Sequence, residues 1–341
     1  MIRIGLVGCG RISEKHISAI IDLKGDCELV AVCERDKERA KSAIALTGAE
    51  WYGELEEMLA RPDIDVISLC TPSGLHAPQG TLAAQHGKHV ITEKPMALDL
   101  ESADRLIAAC EANDTRLFVV KQVRLTPTLQ YLRRAIDKGR FGKIYSIFVN
   151  VLWQRPQSYY DAEPWRGTWA QDGGAFMNQA SHFVDLLSWF GGEVETVTAL
   201  TATLGRSIEA EDSGVAVMRF KNGIIGSINV SMLTYPKNLE TTITVLGEKG
   251  TVKAGGASIG RFEKWEFQDY DDDDRIIYES NLEPPAPHAS GHYLYYKNVI
   301  DVLGGCAEPK TDGHEGRHSV ALIRSIYESA TSGKPVSFSA K

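Results

Sequence analysis

The chain has 341 residues, enough for about two domains. Its 43% hydrophobic and 24% charged residues are the balance of an ordinary globular protein, which argues against wholesale disorder. A formal net charge of −8 argues against a general nucleic-acid binder, yet it leaves room for local basic residues around an anionic small substrate.

Met1-Ile2-Arg3-Ile4-Gly5 enters a strand pattern at once, so no signal peptide is expected and the protein is expected in the cytoplasm. Strands are expected at 2–7, 29–33, 66–69, 89–92 and 117–120. Helical patterns lie between them, among them 13–23, 54–59 and 102–113. This alternation predicts a doubly wound α/β parallel sheet with helices on both faces, occupying residues 1–122. No apolar run along the chain reaches about 18 residues, so no membrane-spanning helix is expected.

After Arg124 the pattern changes. Thr126-Pro127 provides a cap and a first-turn proline for a helix over 126–138. A long strand is expected at 144–153 and an amphipathic helix at 176–190. Strands at 195–203, 215–220, 224–232 and 241–246 then follow without intervening helices, and Asn222-Gly223 is a tight-hairpin signal between two of them. Residues 123–341 are therefore expected to form an α+β domain with a large, mainly antiparallel open sheet. The acidic run 271–274 reads as a solvated surface loop, lacking the spacing of a calcium loop. Helical patterns near 292–303 and 316–331 close the chain.

Gly8-Cys9-Gly10 directly follows the first strand and opens a helix, the setting of a dinucleotide turn. The first glycine permits the tight turn, and the second lets backbone amides approach a pyrophosphate at the helix N-terminus. Ser13 stands at the third fingerprint position, so the G-x-G-x-x-G match is incomplete. Glu34 ends the second strand, 24 positions after Gly10. A carboxylate there binds ribose hydroxyls and repels a 2′-phosphate, which favours NAD over NADP, with neighbouring Arg35 as the counter-signal. Thr71-Pro72-Ser73-Gly74-Leu75-His76 and Glu93-Lys94-Pro95 follow later strands, at the carboxyl ends where such sheets place ligands.

Two kinds of metal signal are weak. Cys9, Cys27, Cys33, Cys70, Cys110 and Cys306 show neither C-x-x-C nor zinc spacing, and they read as reduced structural thiols. His288/His292 and His314/His318 have helical spacing, but no metal is expected.

These turns together resemble the glucose–fructose oxidoreductase/inositol dehydrogenase family over essentially the whole chain. The resemblance implies that Gly8, Gly10, Arg11, Ile12, Glu34, Thr71, Pro72, His76, Glu93, Lys94, Gln122, Trp165 and Arg166 bind NAD. It places Lys94 beside the nicotinamide and the reacting carbinol, where a lysine either takes the hydroxyl proton or orients the hydroxyl. Members carry Asp-x-x-x-His where this chain has Asn178 and His182. That implies His182 as acid/base, with substrate positioning or core packing as alternatives, and it weakens any relay through residue 178. Asp185 is expected to support the helix.

The stretches 151–160, 165–169 and 233–240 look like the UDP-N-acetylglucosaminuronate dehydrogenases of bacterial surface-polysaccharide synthesis, including O-antigen and lipopolysaccharide. Those enzymes oxidise the sugar hydroxyl at C3 to a ketone. A uronate carboxylate and a diphosphate call for Arg and Lys donors. Arg124, Arg155, Arg166 and Lys237 are candidates, with Trp153, Tyr159, Tyr160 and Tyr235 as packing surfaces and His292 as a further possible contact. The alternatives are a dehydrogenase of a simpler sugar or inositol, and an NAD-binding regulator without turnover. Sheet-to-sheet packing into dimers or tetramers is also implied by the resemblance.

Overall fold

A computed structural model describes residues 1–256, 259–284 and 291–339. In chain order the strands and helices are β1 Ile2–Val7, α1 Ser13–Asp22, β2 Cys27–Cys33, α2 Lys37–Thr47, β3 Glu50–Tyr52, α3 Leu55–Leu59, β4 Val66–Leu69, α4 Ser73–Gln85, β5 His89–Thr92, α5 Leu100–Ala112 and β6 Leu117–Val119. Then come α6 Pro127–Asp137, β7 Ile144–Leu152, α7 Gln157–Asp161, α8 Gly174–Met177, α9 Ser181–Gly191, β8 Val194–Ala202, β9 Ser213–Phe220 and β10 Ile225–Ser231. The chain closes with β11 Glu240–Gly247, β12 Gly250–Gly255, β13 Arg261–Phe267, α10 Asp272–Glu279, α11 Gly291–Leu303, α12 Gly313–Ser332 and β14 Val336–Ser337.

Two compact units result. The first holds residues 1–122 and, among the described residues, 291–320. Its six strands are all parallel in the order β3-β2-β1-β4-β5-β6. β4 is buried at every position, and the apolar core runs from Val7 and Ile67 through Val90, Leu106 and Val119. Helix ends obey local chemistry: Asp99 caps α5 by accepting the Ser102 amide at 2.7 Å, and Gly48 ends α2 in the left-handed region. The second domain was expected to run unbroken from 123 to 341. Instead α11 and the start of α12 belong to the first unit, because Tyr295, Tyr296 and Val299 of α11 are buried there and α11 packs on α1.

The second unit holds 123–284 and 321–339 among the described residues. Its eight-stranded sheet runs β13-β12-β11-β7-β10-β9-β8-β14, antiparallel throughout except for the central β7–β10 pair. The Asn222-Gly223 turn joins β9 to β10, with Gly223 at φ 87°. Period-two alternation sends Ile147, Val149, Ala216, Met218, Ile228 and Val230 to a buried face, against which α9 packs. Phe148, Leu200, Val215, Val217 and Ile225 stand exposed on the opposite face.

Two expected elements are corrected. The helix over 176–190 is broken into α8 and α9: α8 stops after Met177 with Asn178 as its C-cap, and α9 starts at Ser181 after Ala180. The acidic run 271–274 is no solvated loop. Asp271 caps α10 in a capping box, and Asp273 and Asp274 are buried against Lys138, Arg140 and the Trp265 indole.

Candidate active-site residues

In the first unit, Gly8 sits at φ 89°, and a Cβ there would meet the Cys70 carbonyl and Thr71 Cγ2 at 3.0 Å. A glycine is required at that point. A Cβ at Gly10 would meet nothing within 4 Å, so the turn is open on that side. Ser13 Oγ donates to Gly10 O at 2.6 Å, and α1 begins without a side-chain cap, leaving its N-terminus with the partial positive charge of a helix start beside the turn. Arg11 is exposed and Ile12 half-buried at this entrance. The Glu34 carboxylate accepts the Cys9 amide at 2.8 Å and the Asp36 amide at 3.2 Å, while its carbonyl accepts the Trp51 indole N–H. Burial, then the neighbouring Glu34 charge, pushes the Cys9 thiol up to about 12, so it stays protonated beside the turn.

Lys94 is half-buried, and its amide donates to Glu93 Oε2 at 3.1 Å. Glu93 was expected to face the cofactor. It is instead only 5% exposed, with Oε1 3.0 Å from His16 Nε2 and 3.5 Å from His292 Nε2. His292, considered as a substrate contact, is buried on this same carboxylate. Burial pushes the Glu93 carboxyl up, but the two histidine hydrogen bonds outweigh it and hold it well below the usual range. Burial likewise keeps His16 below its ordinary value. A neutral His16 with its proton on Nε2 satisfies the pair: it donates to Glu93 and accepts at Nδ1 from Tyr296 Oη, 2.9 Å away. The three ligand atoms of His16, Glu93 and His292 lie within 4.8 Å of one another, close enough to hold a metal. Hydrogen bonding accounts for the contacts without one. His288, weighed as a metal partner of His292, lies outside the described residues, and His314 is exposed beside Glu111.

His76 was also expected at the cofactor. Its buried ring lies 2.7 Å from Pro95 O and 2.8 Å from Thr71 O, tying together the two turns that follow β4 and β5. Burial holds its pKa below the ordinary value against the pull of those two carbonyls. Thr71 Oγ1 donates to Gln79, and Pro72 immediately precedes α4. Gln122 opens the short 3-10 turn Gln122–Leu125.

In the second unit, cationic and aromatic side chains gather. The Arg155 guanidinium lies 4.8 Å from the Trp153 ring and 5.5 Å from that of Tyr159. Arg166 lies 4.3 Å from Tyr159 and 5.6 Å from Trp165. Arg166 Nη1 donates to Tyr159 O, and Arg155 Nη1 donates to Gln154 O and more weakly to Asn238 Oδ1. Arg206 Nε donates to Arg155 O, and Asp212 accepts the amides of Leu204, Gly205 and Arg206. That loop therefore steadies Arg155. Tyr160 is buried against Tyr159, Tyr235 is 94% exposed, and Lys237 is exposed with its carbonyl bonded to Thr234.

Arg124 is not available for a sugar carboxylate. Its Nε and Nη2 each lie 2.7 Å from an oxygen of buried Asp185, and its face lies over Trp189. Asn178 and His182 do not share one continuous helix face as expected. Asn178 ends α8, where its amide group donates to buried Asp172, and His182 is the second residue of α9, half-buried. Glu211 and Tyr327, which also hold α8, carry no signal in the sequence because they lie 35 and 150 residues from the amides they accept.

Residues 2–121 match the family model described as an oxidoreductase family, NAD-binding Rossmann fold, and residues 133–338 match its C-terminal alpha/beta domain. Among solved structures, the WlbA dehydrogenase of Bordetella pertussis, in complex with NADH and UDP-GlcNAcA, is 54% identical with a TM-score of 0.95, covering 99% of this chain and 98% of that one. The WlbA dehydrogenase of Chromobacterium violaceum, with the same two ligands, is 48% identical with a TM-score of 0.95, covering 100% and 96%. The D-apiose dehydrogenase of Paraburkholderia graminis is 25% identical, covering 97% of this chain and 88% of the relative.

Proposed function

Because this chain belongs to the Gfo/Idh/MocA oxidoreductase family, we propose that it is an NAD-dependent dehydrogenase of UDP-N-acetylglucosaminuronate, oxidising the C3 carbinol to a ketone. The observation that carries the reading is the likeness, across nearly the whole chain at about half identity, to two dehydrogenases whose structures hold NADH and UDP-GlcNAcA. The residues agree with it. The turn at Gly8 and Gly10, anchored by Glu34, fits a dinucleotide pyrophosphate and a ribose without a 2′-phosphate.

NAD, when bound, accepts the hydride. Lys94, held through its amide by Glu93, takes or steadies the proton of the reacting hydroxyl. His182 is the acid/base candidate of the second unit. Arg155, on its aromatic bed, supplies the guanidinium for the uronate carboxylate, with Arg166 as the second choice and exposed Lys237 suited to the diphosphate. The exposed apolar sheet face of Phe148, Leu200, Val215, Val217 and Ile225 supports sheet-to-sheet association into dimers or tetramers. Among the described residues no helix is long and apolar enough to cross a membrane. A cytoplasmic place in O-antigen or lipopolysaccharide synthesis is part of the same reading. The test is absorbance at 340 nm when purified protein meets NAD and the UDP-linked uronate, with the product weighed for loss of two hydrogens. NADH formation only with inositol or a free sugar would replace this reading.

A further inference from the structure

We propose that Glu211 and Tyr327 form a buried clamp that positions the α8–α9 segment carrying Asn178 and His182; the role rests on the dehydrogenase reading above. α8 is a single turn, so its own backbone satisfies none of its first amides. Each is taken from outside. Ala175 N–H donates to the Glu211 carbonyl at 3.3 Å, Phe176 N–H to Glu211 Oε1 at 2.9 Å, and Met177 N–H to Tyr327 Oη at 3.2 Å. Tyr327 Oη also lies 2.6 Å from Gly173 O and 2.8 Å from Glu211 Oε1.

One phenol carries one proton, and here it stands between two acceptor oxygens. A neutral Glu211 resolves this: its proton goes to Tyr327 Oη, and the Tyr327 proton goes to Gly173 O. Burial raises the Glu211 carboxyl to about 7, with nearby Asp172 adding to the shift, which agrees with that arrangement. The other carboxyl oxygen presses on the backbone of α8, since a Cβ at Gly174 would fall 2.0 Å from Glu211 Oε2. Only glycine fits beneath the clamp.

The held turn leads directly to the candidate residues. Asn178 N–H donates to Gly174 O at 2.9 Å, its side chain donates to Asp172, and Asp172 accepts the Gly167 amide at 2.8 Å. Ala180 N–H returns to Ala175 O at 2.8 Å, and Ser181 Oγ donates to Asn178 O at 3.1 Å. His182 is the next residue. Releasing α8 therefore moves the start of α9 and the imidazole with it, and small displacements of a reacting group are costly.

The test uses the full chain in four forms: wild type, Tyr327→Phe, Glu211→Ala and Glu211→Gln. Turnover with NAD and the UDP-linked uronate is measured beside the NMR titration of the His182 ring, assigned with His182→Asn. The clamp predicts that Tyr327→Phe and Glu211→Ala lower kcat about tenfold or more with KM for NAD within about twofold, and displace the His182 titration. Glu211→Gln keeps the side chain's size but offers at that position either an oxygen for the Phe176 N–H or an N–H for Tyr327 Oη, not both, so it should recover part of the rate and of the titration. Tyr327→Phe removes one oxygen and is the decisive arm if Glu211→Ala does not fold. An unchanged His182 titration in folded Tyr327→Phe overturns the clamp, whatever happens to the rate. Absence of wild-type turnover overturns the substrate reading instead, and the titration still judges the clamp.

Discussion

The Glu34 carboxylate and the Cys9 amide are joined by a 2.8 Å hydrogen bond, so the acid at the end of β2 and the glycine turn after β1 are one structural piece. Glu34→Ala thus removes a ribose contact, a turn anchor and a source of repulsion toward a 2′-phosphate together. A hydrogen bond to a charged group contributes about 1.5–3 kcal/mol, so NAD affinity should fall about 10- to 100-fold. NADP affinity should fall less, and Glu34→Gln, which retains an acceptor for the Cys9 amide, should lie between. Calorimetric titration with both cofactors checks this; equal losses would contradict the assignment.

Lys94→Met should slow hydride transfer by about two orders of magnitude or more while leaving NAD binding in place, since the glycine turn is untouched. His182→Asn should also slow it and alter the pH dependence of turnover, which Asn178→Ala should not, because of these two side chains only an imidazole ionises near neutrality. Single-turnover kinetics across pH distinguish the two. A pH profile unaffected by His182→Asn would move the base elsewhere.

Arg124 and Asp185 form a buried bidentate pair, and removing one partner strands a charge. Arg124→Ala should destabilise the protein by about 3–5 kcal/mol in urea denaturation. Its effect on the choice between charged and neutral sugars should be small. Loss of selectivity with stability intact would return Arg124 to the substrate site.

Glu211 sets a pH dependence of stability. Its folded value, raised by burial to about 7, exceeds the ordinary 4.5, so the folded state binds the proton more tightly than the unfolded one. The associated stability is fully present below about 4.5 and is lost as pH rises to about 7, a span worth about 3 kcal/mol. Glu211→Gln should flatten the decline of the melting temperature between those values. Parallel curves for wild type and variant would show that Glu211 ionises normally.

Local chemistry made much of the fold legible. Apolar period-two runs and the Asn222-Gly223 turn mark the β9–β10 hairpin, and the strand–helix alternation marks the parallel sheet, because those signals act over a few residues. The break between α8 and α9 was hidden, since apolar spacing continues across Asn178 while that side chain is held by Asp172 and the amides of α8 by Glu211 and Tyr327. The acidic run 271–274 looked solvated because its partners, Lys138 and Arg140, lie on the far side of the sheet sequence. Arg124 looked like a substrate ligand for the same reason: Asp185, which occupies it, is 61 residues away. Long-range pairing decides which charges are committed, and a linear pattern does not encode it.

Recognition of a sugar acid is read from kcat/KM for UDP-N-acetylglucosaminuronate against UDP-N-acetylglucosamine. A guanidinium placed for a carboxylate is poorly paired when a neutral hydroxymethyl replaces it, and losing a charge-assisted partner costs about 2–5 kcal/mol. The uronate should therefore be preferred at least about 30-fold, with Arg155→Ala erasing most of the difference. Equal turnover of the two sugars, or a preference that survives Arg155→Ala and Arg166→Ala alike, would rule out recognition of the carboxylate by these guanidinium groups.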